Sequence, residues 1–261
     1  MEKMKEMFMA NIRQYAMMVA LIFIVILFQY LTGGVLLRPL NITNIIQQNS
    51  YILILAIGML LCILTGNIDL SVGSVAAFIG AVAATMMVTW KWPVLPSVLI
   101  SLLLGVLIGC WQGYWIAYFR IPAFIVTLAG MLCFRGLTLV MLRGQTIAPM
   151  PQSFQKSIST FIPDVLGGAD LNYTALAVVA AAILAFAFAD LRSRRKKLAC
   201  GFDVISFPLW ALKILTMGAV LMAFSWQLAR HRGLPVVLVL LGSLVLIYSF
   251  ITGKTVFGRH V

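Results

Sequence analysis

The sequence predicts an all-α fold, a polytopic membrane helix bundle of about eight spans, and three observations carry that prediction. Apolar residues make up 62% of the 261 residues and charged residues only 10%, against roughly 45–50% and about 25% in a soluble domain. The apolar residues fall in long runs and raise mean hydropathy to +1.05. The Lys and Arg behind the net charge of +12 punctuate those runs instead of gathering on a polar face, so the basic excess signals membrane topology and not nucleic acid. A soluble enzyme, a disordered tail and a disulfide scaffold are excluded. Cys62, Cys110 and Cys133 lie in apolar runs and Cys200 follows a basic cluster, a distribution that suggests no disulfide.

A span needs about 20 apolar residues, because a bilayer core of about 30 Å is crossed at 1.5 Å per helical residue. Runs of that kind occur near 15–32, 50–65, 71–89, 94–118, 121–142, 173–190, 208–228 and 235–252. The first follows the charged lead MEKMKEMFMANIRQ and lacks an A-x-A cleavage site, so it is expected to be retained as a span. Only Gly66-Asn67-Ile68-Asp69-Leu70 separates the second run from the third, and this pair reads as a broken or re-entrant helix near 65–74.

Basic residues in short connections resist translocation and set orientation. With the N-terminus in the cytoplasm, the inner side holds eleven: Lys3, Lys5, Arg13, Arg120, Arg192, Arg194, Arg195, Lys196, Lys197, Lys254 and Arg259. The outer side holds six, namely Arg38, Lys91, Arg143, Lys156, Arg230 and Arg232. Arg192 to Lys197 is the topology anchor, a role weighed above lipid or nucleotide binding. The longest connection, from Arg143 to Asn172, then lies outside. Its Pro149, Pro151, Pro163, Gly167 and Gly168 read as a loop that either caps a pathway, docks a partner or simply tethers.

Chemistry concentrates in Thr65-Gly66-Asn67-Ile68-Asp69-Leu70-Ser71-Val72-Gly73-Ser74. An Asp at the centre of a span costs about 2.5–3.5 kcal/mol on insertion scales, so it is paired, capping or lining water. Gly66 ends one helix, and Asp69 or Ser71 caps the next by accepting backbone N–H groups that have no water to meet. The other reading of Asn67, Asp69 and Ser71 is direct contact with a translocated solute. Small residues including Gly73 and Gly80 follow, and Gly105, Gly109 and Gly113 repeat at four-residue spacing along one helical face. Close helix packing is the first reading of both sets, a groove the second. Arg135 interrupts the fifth run and is expected to pair with Asp69, to meet backbone carbonyls or to reach the outer interface.

Catalysis finds little support. Gly253-Lys254-Thr255 imitates the end of a phosphate-binding loop, but Tyr248 stands where the leading glycine belongs. His231 and His260 are the two histidines and both sit at span ends, so no metal cluster or Ser/His pair is expected.

Asn67-Ile-Asp-Leu-Ser-Val-Gly-Ser74, Ile121-Pro-Ala-Phe-Ile-Val-Thr-Leu128 and Phe134-Arg-Gly136 together resemble permease subunits of bacterial ABC sugar importers, in the ribose, xylose and multiple-monosaccharide branch. The similarity runs from about Asn41 to Val261. Gly66-Asn67 stands where many of those permeases have two glycines, which marks a subgroup. The resemblance implies a single transmembrane permease domain over 1–261 and a place in the bacterial inner membrane. It implies a channel-forming, non-catalytic subunit without a cofactor. Its partners would be a second permease copy, a cytoplasmic ATP-binding subunit, a periplasmic sugar-binding protein and membrane lipid. It also places a cytoplasmic coupling segment and further spans beyond Val261, so the chain is expected to be truncated or to stop early. Permeases for branched-chain amino acids or a signalling sugar share the fold. An ion-coupled secondary transporter would need several protonatable or ion-binding groups at mid-membrane, where Asp69 is the candidate, and a structural anchor is the remaining alternative.

Overall fold

The computed structural model describes residues 12–167, 171–201 and 206–260. Its elements are α1 (Ile12–Leu31), α2 (Pro39–Leu64), α3 (Val72–Ala84) continued by a π-helical turn (Thr85–Thr89), α4 (Val94–Ala117) and α5 (Ala123–Leu142). They are followed by α6 (Gln152–Ile158), α7 (Tyr173–Ala199), α8 (Phe207–Ala229), α9 (Val236–Lys254) and α10 (Val256–His260). Among the described residues, seven helices are long and apolar enough to cross a membrane. The apolar stretch Val19–Leu31 of α1 falls in the first expected span. The architecture is therefore the all-α polytopic bundle that the hydropathy runs predict. Lys3, Lys5 and Gly168 lie outside the described residues.

Two boundaries differ from expectation. α2 begins at Pro39, well before position 50, and takes in the polar stretch that had read as a connection. Proline costs nothing at the first helical position, and the Thr43 hydroxyl donates back to Pro39 O at 2.9 Å, so a polar residue is accommodated within the helix. α7 runs on to Ala199, which places Arg192 to Lys197 on its last turns instead of in a loop. Cations there oppose the negative end of the helix dipole, and Gly201 at φ +74° turns the chain away.

The chain divides into two compact units. One comprises Asn49–Thr160 and Val236–Val261. Within it α3 packs against α5 and α4, and α4 against α5. Phe134 of α5 meets Phe78 of α3 with ring centroids 5.5 Å apart. The hydroxyls of Ser97 and Ser101 on α4 are buried and donate to Pro93 O and Ser97 O. In a bilayer such back-bonding removes polar hydrogens that nothing else would satisfy.

The other unit comprises Met1–Gln48 and Phe161–Pro235, and in it α7 packs on α8. Ala175 is fully buried at the start of α7, and its carbonyl accepts from Ser225 Oγ of α8 at 3.5 Å. Asn172 caps α7 by accepting from Ala175 N at 2.8 Å while its amide donates to Ile162 O at 3.3 Å. Asp164 accepts from Thr174 Oγ1 at 2.6 Å, and Phe161 bridges to Pro235. The end of the long connection is thus tied to the start of α7 and to the segment at Pro235. At the far end of α7, Asp190 accepts from Trp210 Nε1 at 2.6 Å. Arg194 lies 5.5 Å from the Phe207 ring centroid and 5.8 Å from that of Trp210.

Candidate functional site

The break between α2 and α3 is built from hydrogen bonds that its sequence dictates. Gly66 takes φ +76°, its N–H donates to Ile63 O at 3.0 Å, and Asn67 N donates to Cys62 O at 3.0 Å. That pair of bonds is a Schellman motif, which uses a left-handed glycine to satisfy the last carbonyls of a helix. The Asn67 amide donates to Thr65 Oγ1 at 3.0 Å, which holds the turn. Asp69 Oδ1 then accepts from Ser71 N at 2.8 Å and from Ser71 Oγ at 2.7 Å. The first helical bond of α3 follows from Val75 N to Ser71 O, 2.9 Å. The side chain that receives a backbone donor here is that of Asp69; Ser71 makes no cap bond of its own.

Ser71 is 1% exposed and joins the carboxylate to α4. Gln112 of α4, itself 6% exposed, donates from Nε2 to Ser71 Oγ at 3.0 Å, and its Oε1 lies 3.2 Å from the same oxygen. From α5 Thr127 Oγ1 lies 2.9 Å from Ala123 O and 3.3 Å from Ile68 O, so it too faces the break. Gly130 comes closest of all: a side chain there would overlap Gln112 Nε2 and stand 3.6 Å from Ser71 Cβ. Three helices therefore converge on one polar knot.

The knot opens on a cavity of about 550 Å³ whose wall includes Gly58, Cys62, Asp69, Gly80, Gly109 and Gln112. Of the glycines singled out in the sequence, Gly105 is the one where an added Cβ would press on a neighbour, Ile79 Cδ1 at 3.2 Å; at Gly73, Gly80, Gly109 and Gly113 it meets open space. Gly80, Gly105 and Gly109 line the cavity.

Arg135 is not brought to Asp69. Phe134 takes the buried position against α3, and successive helical residues do not share a face, so Arg135 is exposed. Asp69 Oδ1 is engaged by Ser71 instead. Arg192, Arg195, Lys196 and Lys197 are exposed, while Arg194 is half-buried beneath its two aromatic neighbours. Thr127 figured in the sequence only within the 121–128 motif, and no role was given to it, to Gln112 or to Gly130. Only Gln112 carried a signal, as a lone amide within an apolar run.

Bilayer-length helices and an open cavity with a polar knot in its wall define the class first: a polytopic membrane protein with a polar site on one helical unit. Its kin are more particular. Residues 41–261 match the family described as the permease component of branched-chain amino acid transport systems, and the chain belongs to that family. It is 34% identical over 251 residues to the xylose transport system permease protein XylH of Escherichia coli strain K12, covering 96% of this chain and 62% of that protein. Against XylH of Haemophilus influenzae the identity is 31%, covering 96% of this chain and 65% of the relative. The ribose import permease protein RbsC of Bacillus subtilis strain 168 is 42% identical over 133 residues, 51% of this chain and 41% of that protein. The chain thus spans less than two thirds of the length of these relatives. No solved structure matches.

Proposed function

We propose that the chain is the membrane-spanning permease subunit of an ATP-binding-cassette importer for monosaccharides of the xylose and ribose kind, and that it forms part of the translocation pathway. The observation that carries this reading is the cavity. Asp69 is the one charged residue in its wall, with no Lys, Arg or His among the described lining residues. An amino acid would bring a carboxylate that finds no cation there and meets the like charge of Asp69 instead. A neutral sugar carries no such charge. The xylose permeases that align along 96% of the chain support the same choice.

In this reading Asp69 starts α3 and, with Asn67 and Ser71, borders the path. The glycines that meet open space leave room beside it, and Gly105 sets a close helix contact. Arg192, Arg194, Arg195, Lys196 and Lys197 hold their end of α7 in the cytoplasm, with the N-terminus on the same side of the inner membrane. Two copies would assemble with a cytoplasmic ATP-binding subunit and a periplasmic sugar-binding protein. Energy comes from that separate ATPase: Gly253 and Lys254 lie within α9, a continuous helix and not the open loop whose amides cradle phosphate.

The second reading, a branched-chain amino acid permease, is favoured by the family description. Deleting the gene in its host and measuring uptake of labelled xylose, ribose and leucine separates the two. Loss of energy-dependent pentose uptake with leucine uptake intact is expected. Loss of leucine uptake with both pentoses unaffected overturns the sugar assignment.

A further inference from the structure

The hydrogens in the knot can be counted. Ser71 Oγ carries one hydrogen and has two acceptors within reach, Asp69 Oδ1 at 2.7 Å and Gln112 Oε1 at 3.2 Å. Gln112 Nε2 donates one of its two hydrogens to Ser71 Oγ. The shorter contact takes the hydroxyl hydrogen, because a charge-assisted bond is the stronger. Gln112 Oε1 is then left without a donor, Asp69 Oδ2 accepts from no described residue, and one Gln112 N–H remains to be given. All of this lies in the wall of one cavity, in a unit whose other lining is largely apolar. An ammonium, which only donates, or a bare cation, which only coordinates, would satisfy the oxygens and leave the N–H orphaned. A hydroxyl does both.

We propose that this cavity is a binding site for a single neutral monosaccharide, held at Gln112 and Asp69 through hydroxyls that both donate and accept, with Gln112 as the specificity-determining residue. Apolar walls suit the C–H faces of a sugar ring, and about 550 Å³ lies within the range of about 300–1,000 Å³ usual for small-molecule sites. Gly130 is part of the site by what it lacks. Any side chain there displaces the Gln112 amide, so the glycine fixes where the amide stands. The assignment rests on the monosaccharide reading and adds where the sugar sits and which atoms hold it.

Cys62, in the same wall, is a built-in reporter. In the full chain carrying Cys110→Ser, Cys133→Ser and Cys200→Ser, reconstituted in lipid nanodiscs, the rate of Cys62 modification by a small methanethiosulfonate is followed with D-xylose, D-ribose or L-leucine added. Either pentose should slow the reaction, and leucine should not. Gln112→Met should raise the half-protecting concentration about tenfold or more, the loss of one or two hydrogen bonds. Gly130→Ala should do the same by displacing the amide, which keeps the test open if one variant does not assemble. Failure of both pentoses to protect, while the host still needs the gene for pentose uptake, overturns the site and leaves the importer reading standing. Protection by leucine alone overturns both. Unchanged protection in Gln112→Met and Gly130→Ala overturns the assignment to Gln112.

Discussion

Asp69 matters at the residue scale because it answers a backbone donor that a bilayer would otherwise leave unpaired. Its Oδ1 takes Ser71 N and Ser71 Oγ together. Asn retains that oxygen and Leu does not, so Asp69→Asn should yield more folded protein in detergent than Asp69→Leu. The expected gap is about 1–3 kcal/mol for an unpaired buried donor, and equal yields would refute the capping role. Gly130→Ala is expected to lower the melting midpoint, because forcing a methyl into the space of Gln112 is overpacking and costs about 1–3 kcal/mol; an unshifted midpoint would mean that the knot relaxes freely. Asp69 and Ser71 were legible in the sequence because a carboxylate between two apolar runs has few explanations. Gln112 was less visible, since an uncharged amide barely lowers hydropathy and its partner lies 41 residues away in sequence. Gly130 gave no signal, because what a glycine admits depends on the side chain facing it.

Helix ends are the features that decide the elements. The break at 65–71 was readable because Gly66 supplies the left-handed residue that a Schellman motif requires and an acceptor follows three residues later. The start of α2 and the end of α7 were not, because polar and basic residues look like connections until back-bonding and the helix dipole are considered. Arg135 could not be assigned to one partner for a related reason: its face is set by Phe134 packing on α3, which hydropathy does not encode. At the start of α7, Asn172 both caps the helix and holds Ile162 O. Asn172→Ala should therefore lower stability by about 1–2 kcal/mol, whereas Asn172→Asp keeps the cap and should recover most of that loss. Thermal unfolding followed by circular dichroism would reveal it, and two equally unstable variants would show that the Ile162 bond, and not the cap, holds this end.

On the scale of the whole molecule, orientation and path must agree. The proposed orientation, with the basic excess inside, would put Cys200 in the cytoplasm and the connection bearing Ser157 outside. An impermeant maleimide should label Ser157→Cys in intact cells, and Cys200 only after the membrane is opened; the reverse pattern would invert the topology. The path itself is tested most directly by filling the cavity without disturbing its wall. Gly109 is suited to this, since an added Cβ there meets open space while the residue lines the cavity, and Leu is the better helix former by about 1 kcal/mol. The deciding measurement is the initial rate of labelled xylose uptake by host cells lacking the gene and carrying either the parent chain or Gly109→Leu at equal membrane abundance. At least about a tenfold loss, equivalent to about 1.4 kcal/mol, is the result expected of a solute that passes through this cavity. Uptake at the parental rate with the cavity filled would contradict the account.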